Sequence, residues 1–567
     1  MSRRRLLTDA ELEELVNTSD SEDDIPDENV SEEEDHISDW ESNDENSDSE
    51  VEYEEEHDTQ TTSQMQEIHS KNKDLIWNLQ PSHADGLPTE NIIKATTGPT
   101  TYAISRISDI RSAFALFLNT TILNILIQMT NIEGQQVYGD KWHKLDVTAL
   151  NAYIGLLLLA GVYKSYGEAT KSLWNPETGR HIFRATMSLE RFHEISRVLR
   201  FDNKTDRSER RAKDKLAPIR TVWNKWVEIL PQLYNVGEAI TVDQQLLGFR
   251  GWCPFRQYIP SKPAKYVIKV WTLCDSKSSY VQNAQVYTGR NPGERPEKNQ
   301  GMQVVLDLTH ALKGQNVTCG SFFTSYQLGQ MLQKRHLTML GSIRKNDPEL
   351  PQGILSKREV YSSTFYFNGD TTVVSYVPPK NKQVILMSTM HHDNAISNRE
   401  DKKPDMILDY NATKGAVNTL EQAISTYTCK CKTNRWPMIM FYNILDVSAY
   451  NAFVLWREID PNWNRSKLHK RRMFIEELGK SLVRPYIETR KVNPRIEGAA
   501  AILKSVQQHA QKRDSAASTS TATSQKRRRC RFCPSSCDNK TNVTCAGCAK
   551  YVCKGHVFHY CAQCKNE

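Results

Sequence analysis

The chain has 567 residues and a net charge of +5 that conceals a strong asymmetry. Residues 1–60 carry 25 acidic and 3 basic residues, leaving 70 basic against 43 acidic in the rest. Length predicts three or four domains, and an acidic arm on a basic body points to a nucleic-acid partner.

No signal peptide is legible, because only Leu6-Leu7 follow the basic start before polar residues resume. The chain is therefore expected inside the cell, with reduced or metal-bound cysteines. Residues 1–95 are expected to be a disordered acidic region. Its first sixty residues hold too little apolar surface to offset chain entropy. Ser19 and Ser21 precede acidic runs and suit an acid-directed kinase; an unmodified solvated tail fits equally well.

Helical periodicity follows over 96–238. ISDIRSAFALFLNTTILNILIQMTNI (105–132) has apolar residues at helical spacing, and Asp146 is a credible N-cap for the next helix. ALNAYIGLLLLAGVY (149–163) is too short for a membrane span and reads as a buried helix. TDRSERRAKDK is a basic exposed segment. From about 239 the texture changes. AITVDQQLLGF, VIKVWTLCD, QVVLDL and NVTCG read as short strands of a mixed sheet in an α/β fold, and residues 347–402 as a β-rich insertion. Helical texture returns with GAVNTLEQAISTYT and fills 428–504, and 505–528 has the composition of a flexible linker. That linker ends in Lys526-Arg527-Arg528-Arg529, which reads as nuclear import, as a phosphate-contacting patch, or as a merely solvated run.

The segment 529–567 has the most specific spacing. Cys530-x2-Cys533, Cys545-x2-Cys548, Cys553-x2-His556 and Cys561-x2-Cys564 form four ligand pairs. Eight ligands suit two structural Zn²⁺ ions in tetrahedral sites. Short middle spacers favour interleaving, with Cys530, Cys533, Cys553 and His556 on one zinc and Cys545, Cys548, Cys561 and Cys564 on the other. Cys537 and His559 fall outside the pairs.

Within 239–427, Asp243 ends a strand and is followed by Arg250, Arg256, Lys262 and Lys265 among aromatics. A carboxylate beside a phosphate-binding surface suits metal-assisted chemistry, although a lone strand Asp is more often structural. The stretch VDQQLLGFRGWCPFRQYIPSKPAKYVIKVWTLCD resembles the first signature block of the piggyBac family of DDE transposases. NVTCGSFFTSYQL resembles its second block, DYNATKGAVNTLEQ its third, and KCKTNRWPMIMFYNILDVSAYNAFVLW the segment after it. The blocks stand in order, and the cysteine spacing is similar to that family's C-terminal zinc domain.

That resemblance implies an RNase H-like catalytic domain with an insertion, flanked by a helical dimerisation and DNA-binding domain in two parts. It also implies a cross-brace zinc module that reads terminal inverted repeats, and two-Mg²⁺ strand transfer at TTAA. The first catalytic Asp maps to Asp243. The family's TCDN reads Thr318-Cys319-Gly320-Ser321 here, so the second falls on Gly320. Its GGVDTLDQ reads Gly415 to Gln422 here, so the third falls on Asn418 and a further Asp on Glu421. Cys431 stands where the family commonly has a basic residue. Two carboxylates are lost, so the Mg²⁺ site is expected to be lost or weakened and strand cleavage abolished. Asp307, upstream in VVLDL, and Asp446, downstream in NILDVS, are the conceivable replacement acids. The expected function is a catalytically inactive, transposase-derived DNA-binding protein of the nucleus, homodimeric, with no membrane partner. Two alternatives stand beside it: an active transposase with unusual ligands, and a chromatin-associated protein-interaction module.

Overall fold

The computed structural model describes residues 67–81, 96–289, 299–379, 382–491 and 494–519, together with 528–534, 536–537, 539–541, 543 and 551–556. It divides into two compact units, residues 1–486 and 487–567. The first is an α/β fold built on one mixed nine-stranded sheet.

Its helical layer begins with α1 (Thr120–Tyr138), α2 (Val147–Val162), α3 (Leu189–Val198), α4 (Arg207–Lys213) and α5 (Arg220–Leu233). The expected helix over 105–132 is interrupted. The Asn119 side chain accepts the Ile122 N–H and starts α1 afresh, after a shorter helix Ile110–Ala115. Asp146 caps α2 through the Ala149 N–H at 2.7 Å. Nearly every α2 residue is buried, as an apolar run without a polar face requires.

Strands follow as β3 (Ala239–Gly248), β4 (Gln257–Tyr258), β5 (Tyr266–Asp275), β6 (Val281–Val286), β7 (Asn316–Cys319), β8 (Thr338–Ser342), β9 (Ser363–Asn368), β10 (Thr371–Tyr376) and β11 (Val384–Ser388). The sheet order is β9-β10-β11-β8-β7-β3-β5-β4, with β6 also paired to β5. Only β3–β7 and β7–β8 are parallel. The strands from 347–402 continue this sheet as an antiparallel extension.

QVVLDL is a correction: it lies in α6 (Gln300–Leu308), not in a strand. Val304, Val305 and Leu308 recur at helical spacing and are buried, while Asp307 is exposed. Helical periodicity here overrides the strand preference of valine. The second half of the unit adds α7 (Tyr326–Gln333), α8 (Asp405–Thr413), α9 (Ala416–Thr426), α10 (Trp436–Ile459) and α11 (Lys470–Glu488).

Helix α10 is long and apolar enough to cross a membrane, yet 89% of its most apolar window is buried within the fold. Three of its buried polar side chains are paired, as burial demands. Asn443 exchanges amide hydrogen bonds with Gln245 of β3 at 3.0 and 3.3 Å. Ser448 accepts the Trp226 indole N–H, and Asn451 pairs with both backbone groups of Val281. These contacts fix the rotation of α10 against the sheet. At its N-terminus, Arg435 donates to the Ser196, Arg197 and Leu199 carbonyls at the end of α3. Burial lowers that guanidinium to about 10.

The expectation of disorder through residue 95 is also corrected. A hairpin of β1 (Ile68–His69) and β2 (Ile76–Trp77) lies against the edge strand β9. Asn78 and Phe367 exchange both backbone hydrogen bonds, at 2.9 and 2.8 Å. Trp77 is fully buried, edge-on to Tyr326, with its indole N–H on the Glu349 carbonyl. One buried indole and a ladder contact anchor what composition alone leaves disordered. A two-stranded hairpin is marginal by itself. Trp77→Ala, removing about 3–5 kcal/mol of packing, is therefore expected to release 67–81 to protease while the rest melts unchanged. Undiminished protection of that segment would refute the anchor.

In the second unit, α12 (Glu497–Thr519) occupies the first part of the expected linker, another correction. The polar run from 505 contains no proline and several alanines and glutamines, which favour a helix once Ala499 and Leu503 are buried.

Candidate functional site

Asp243 does not end its strand, contrary to the expectation from sequence, but lies in the middle of β3, opposite Thr272 of β5, because the ladder with β5 runs on to Gly248. On its other side β7 runs parallel, and the last pair of the ladder is Val242 with Cys319. One residue further along both strands, Asp243 stands beside Gly320. The chain turns there, with the Gly320 carbonyl accepting the N–H groups of Phe323 and Thr324. Phe323 is buried behind the turn and Phe322 is 41% exposed. Gly320 is not among the glycines with a left-handed backbone. Backbone geometry therefore does not demand glycine here.

Three threonines to which the sequence assigned no role aim the third segment at this point. Thr241 Oγ1 donates to the Thr413 carbonyl at 2.6 Å, and Thr318 Oγ1 shares a 2.8 Å bond with Thr413 Oγ1. Together they pin the end of α8 across β3 and β7, so α9 starts near the strand ends. Asn418 lies in the first turn of α9 and is exposed. Glu421 follows three residues later on the same helical face.

Glu421 is already occupied. Its Oε1 accepts the Leu246 N–H at 2.6 Å, a group that β7 is too short to reach. Asp243 Oδ1 accepts its neighbour's N–H, from Gln244, at 2.8 Å. Burial raises the pKa of both carboxyls, and the nearby Lys262 ammonium partly offsets this at each. The Asp243 charge also raises Glu421. The donor set is thus two carboxylates, one of them serving as a backbone cap, beside a glycine with no ligand atom. It does not fit a pair of Mg²⁺ ions, which need several anionic oxygens.

Neither alternative acid joins the site. Asp307 is exposed on α6 and accepts the Gln303 amide. Asp446 is buried in α10, where its oxygens accept Thr428 Oγ1 at 2.6 Å and the Cys429 N–H at 2.9 Å. Burial raises the Asp446 carboxyl to about 6 from 3.8. A carboxyl raised on folding supports the fold below its unfolded pKa, and that support is lost as pH rises through 6. Between pH 5 and 7.5 this group is expected to withdraw roughly 1–2 kcal/mol. Asp446→Asn, which keeps the shape, should flatten that part of the pH–Tm profile. Parallel profiles for the two proteins would refute the assignment.

Among the described residues, one group of side chains has the geometry of a metal site. Cys530, Cys533, Cys553 and His556 place their ligand atoms within 4.8 Å of one another. A two-residue ladder, β12 (Arg528–Arg529) with β13 (Lys540–Thr541), delivers Cys530, and a 3-10 turn over Lys554–His556 presents the imidazole. The Cys553 N–H donates to Cys530 Sγ at 3.2 Å and the Asn539 amide to Cys533 Sγ at 3.4 Å, as suits thiolates. This Cys3His set can hold a metal such as zinc. Cys545, Cys548, Cys561 and Cys564 lie outside the described residues. Cys537 is exposed and apart from the group.

Of the expected basic contacts, Arg250, Lys262 and Lys265 are exposed on the loop after β3. Arg256 is partly buried, donating to the Arg250 and Gly251 carbonyls. Arg528 and Arg529 form β12, and Lys526 and Arg527 lie outside the described residues.

A family model described as Transposase IS4, of the DDE type, matches residues 110–453. The human PiggyBac transposable element-derived protein 2 is 23% identical over 412 residues, covering 65% of this chain. The chain spans 66% of that relative's length. A cryo-EM structure of the piggyBac transposase synaptic complex with hairpin DNA aligns with a TM-score of 0.67 and 31% identity, over 83% of this chain and 100% of that one.

Proposed function

The chain belongs to the piggyBac transposase family, and from that membership we propose that it is a DNA-binding protein that no longer cleaves DNA. One observation carries the loss of cleavage: beside Asp243 the neighbouring strand offers Gly320, while Glu421 is held by the Leu246 N–H. Asn418 adds a neutral oxygen at best, which Mg²⁺ accepts weakly without carboxylate partners.

In this reading the sheet around Asp243 is an RNase H-like domain, and residues 347–402 are its insertion. The helical segments before and after it form the dimerisation and DNA-binding domain of a homodimer. Cys530, Cys533, Cys553 and His556 hold one structural zinc, and Cys545, Cys548, Cys561 and Cys564 hold a second, in a module that reads duplex DNA. Arg250, Arg256, Lys262, Lys265 and the run 526–529 contact phosphates, and that run directs the protein to the nucleus. The hairpin DNA in the related complex and the basic surplus of the body support a DNA partner.

The test is a selection on random duplexes at stated salt, paired with a nicking assay in Mg²⁺. Zinc-dependent, sequence-selective binding without nicking is expected. Nicking abolished by Asp243→Ala would restore the active-transposase reading. Partners that survive nuclease treatment, with DNA affinity at the nonspecific level, would favour the chromatin module.

A further inference from the structure

Three aromatic rings on or beside the loop between β3 and β5 belong to neither the core nor the carboxylate site. Trp252 is 67% exposed, Tyr258 58% and Tyr266 40%. Large rings exposed along one loop are the material of a contact face. They are held in place. Tyr258 and Tyr266 pack with centroids 5.0 Å apart, and the Arg256 guanidinium lies 4.6 Å over the Tyr266 ring. From α4, Arg211 reaches across to Trp252, 5.3 Å from the ring centroid. Its helix neighbours Arg207 and Arg210 are turned the other way, onto Asp202. Arg250, Lys262 and Lys265 are exposed on the same loop.

We propose that this loop is a stacking platform for unpaired nucleotides of a DNA strand, with Trp252 taking a base and Arg211, Arg250 and Lys265 the flanking phosphates. A paired duplex keeps its base faces stacked on one another and asks only for cations. Single-stranded DNA presents both a π-face and a phosphate at each nucleotide, which is the combination displayed here. The position agrees. The loop continues β3 beyond Asp243, and its Lys262 is close enough to act on the Asp243 and Glu421 carboxyls. The inference rests on the DNA-binding reading above.

Its test uses the full chain, a blunt duplex, and the same duplex with a short single-stranded overhang carrying 2-aminopurine. Trp252→Ala is expected to weaken overhang binding roughly ten-fold, within the range known for base–aromatic stacking. It should also abolish the quenching of 2-aminopurine by the wild type and leave blunt-duplex affinity unchanged. Trp252→Phe should retain most of the affinity. Equal losses on both DNAs, or no loss on either, would overturn the platform while leaving duplex binding intact. Wild-type binding to the overhang alone would uphold the platform and remove the duplex reading; binding to neither would remove both.

Discussion

Stripping zinc with a chelator is expected to unfold the C-terminal module, release two Zn²⁺ per chain, and abolish selective DNA binding. The magnitude follows from how little else holds the module. Among its described residues only Cys530, Thr541 and Val552 are buried, and one of these is itself a ligand. A segment of about forty residues seldom offsets its ordering entropy without metals, disulfides or partners. Structural zinc in comparable peptides contributes about 10–16 kcal/mol of apparent binding energy at neutral pH, so metal and fold are lost together. Cys530→Ser should lower the zinc content measured by mass spectrometry and reduce DNA affinity. Cys537→Ser, at an exposed cysteine outside the group, should change neither. The first unit, with its own large buried core, is expected to melt as before. Selective DNA binding that survives chelation would remove the module from recognition.

A second large effect is expected at Gly320. The wild-type chain should show no nicking in Mg²⁺ or Mn²⁺, and no shift in melting temperature on adding either ion. Gly320→Asp combined with Asn418→Asp restores two carboxylates, one beside Asp243 and one a turn from Glu421. The backbone at Gly320 does not demand glycine. A site so completed should bind Mn²⁺, and at a hundred-fold excess over its Kd that adds about 2.7 kcal/mol to stability. For a unit of this size the resulting rise in Tm should be a few degrees. Asp243→Ala in the double variant should cancel it. A manganese-induced shift in the wild type, lost with Asp243→Ala, would show that the existing carboxylates suffice. Loss of a metal ligand costs on the order of 10³-fold in rate. Full restoration of cleavage also requires Glu421 to leave the Leu246 N–H, so metal binding is the more direct readout.

Both expectations start from residues legible without any structure. Ligand pairs at x2 spacing, the order of the signature blocks, and the identities of Gly320, Asn418 and Glu421 are properties of the chain itself, because side-chain chemistry and local spacing do not depend on the fold. The capping of α2 by Asp146 is equally local, one carboxylate and an N–H three residues on. What the sequence could not decide depends on partners distant along the chain. QVVLDL carries enough valine for a strand, and its buried neighbours make it a helix. Residues 67–81 sit in a polar stretch, and Trp77 orders them because Tyr326 and Glu349 are waiting. Glu421 is the sharpest case. Its carboxylate reads as a spare metal ligand until β7 is seen to end level with Val242, which leaves the Leu246 N–H open and turns Glu421 into its cap. A free backbone donor in a half-buried edge must be paired, and which side chain pairs with it is decided only when strand and helix meet.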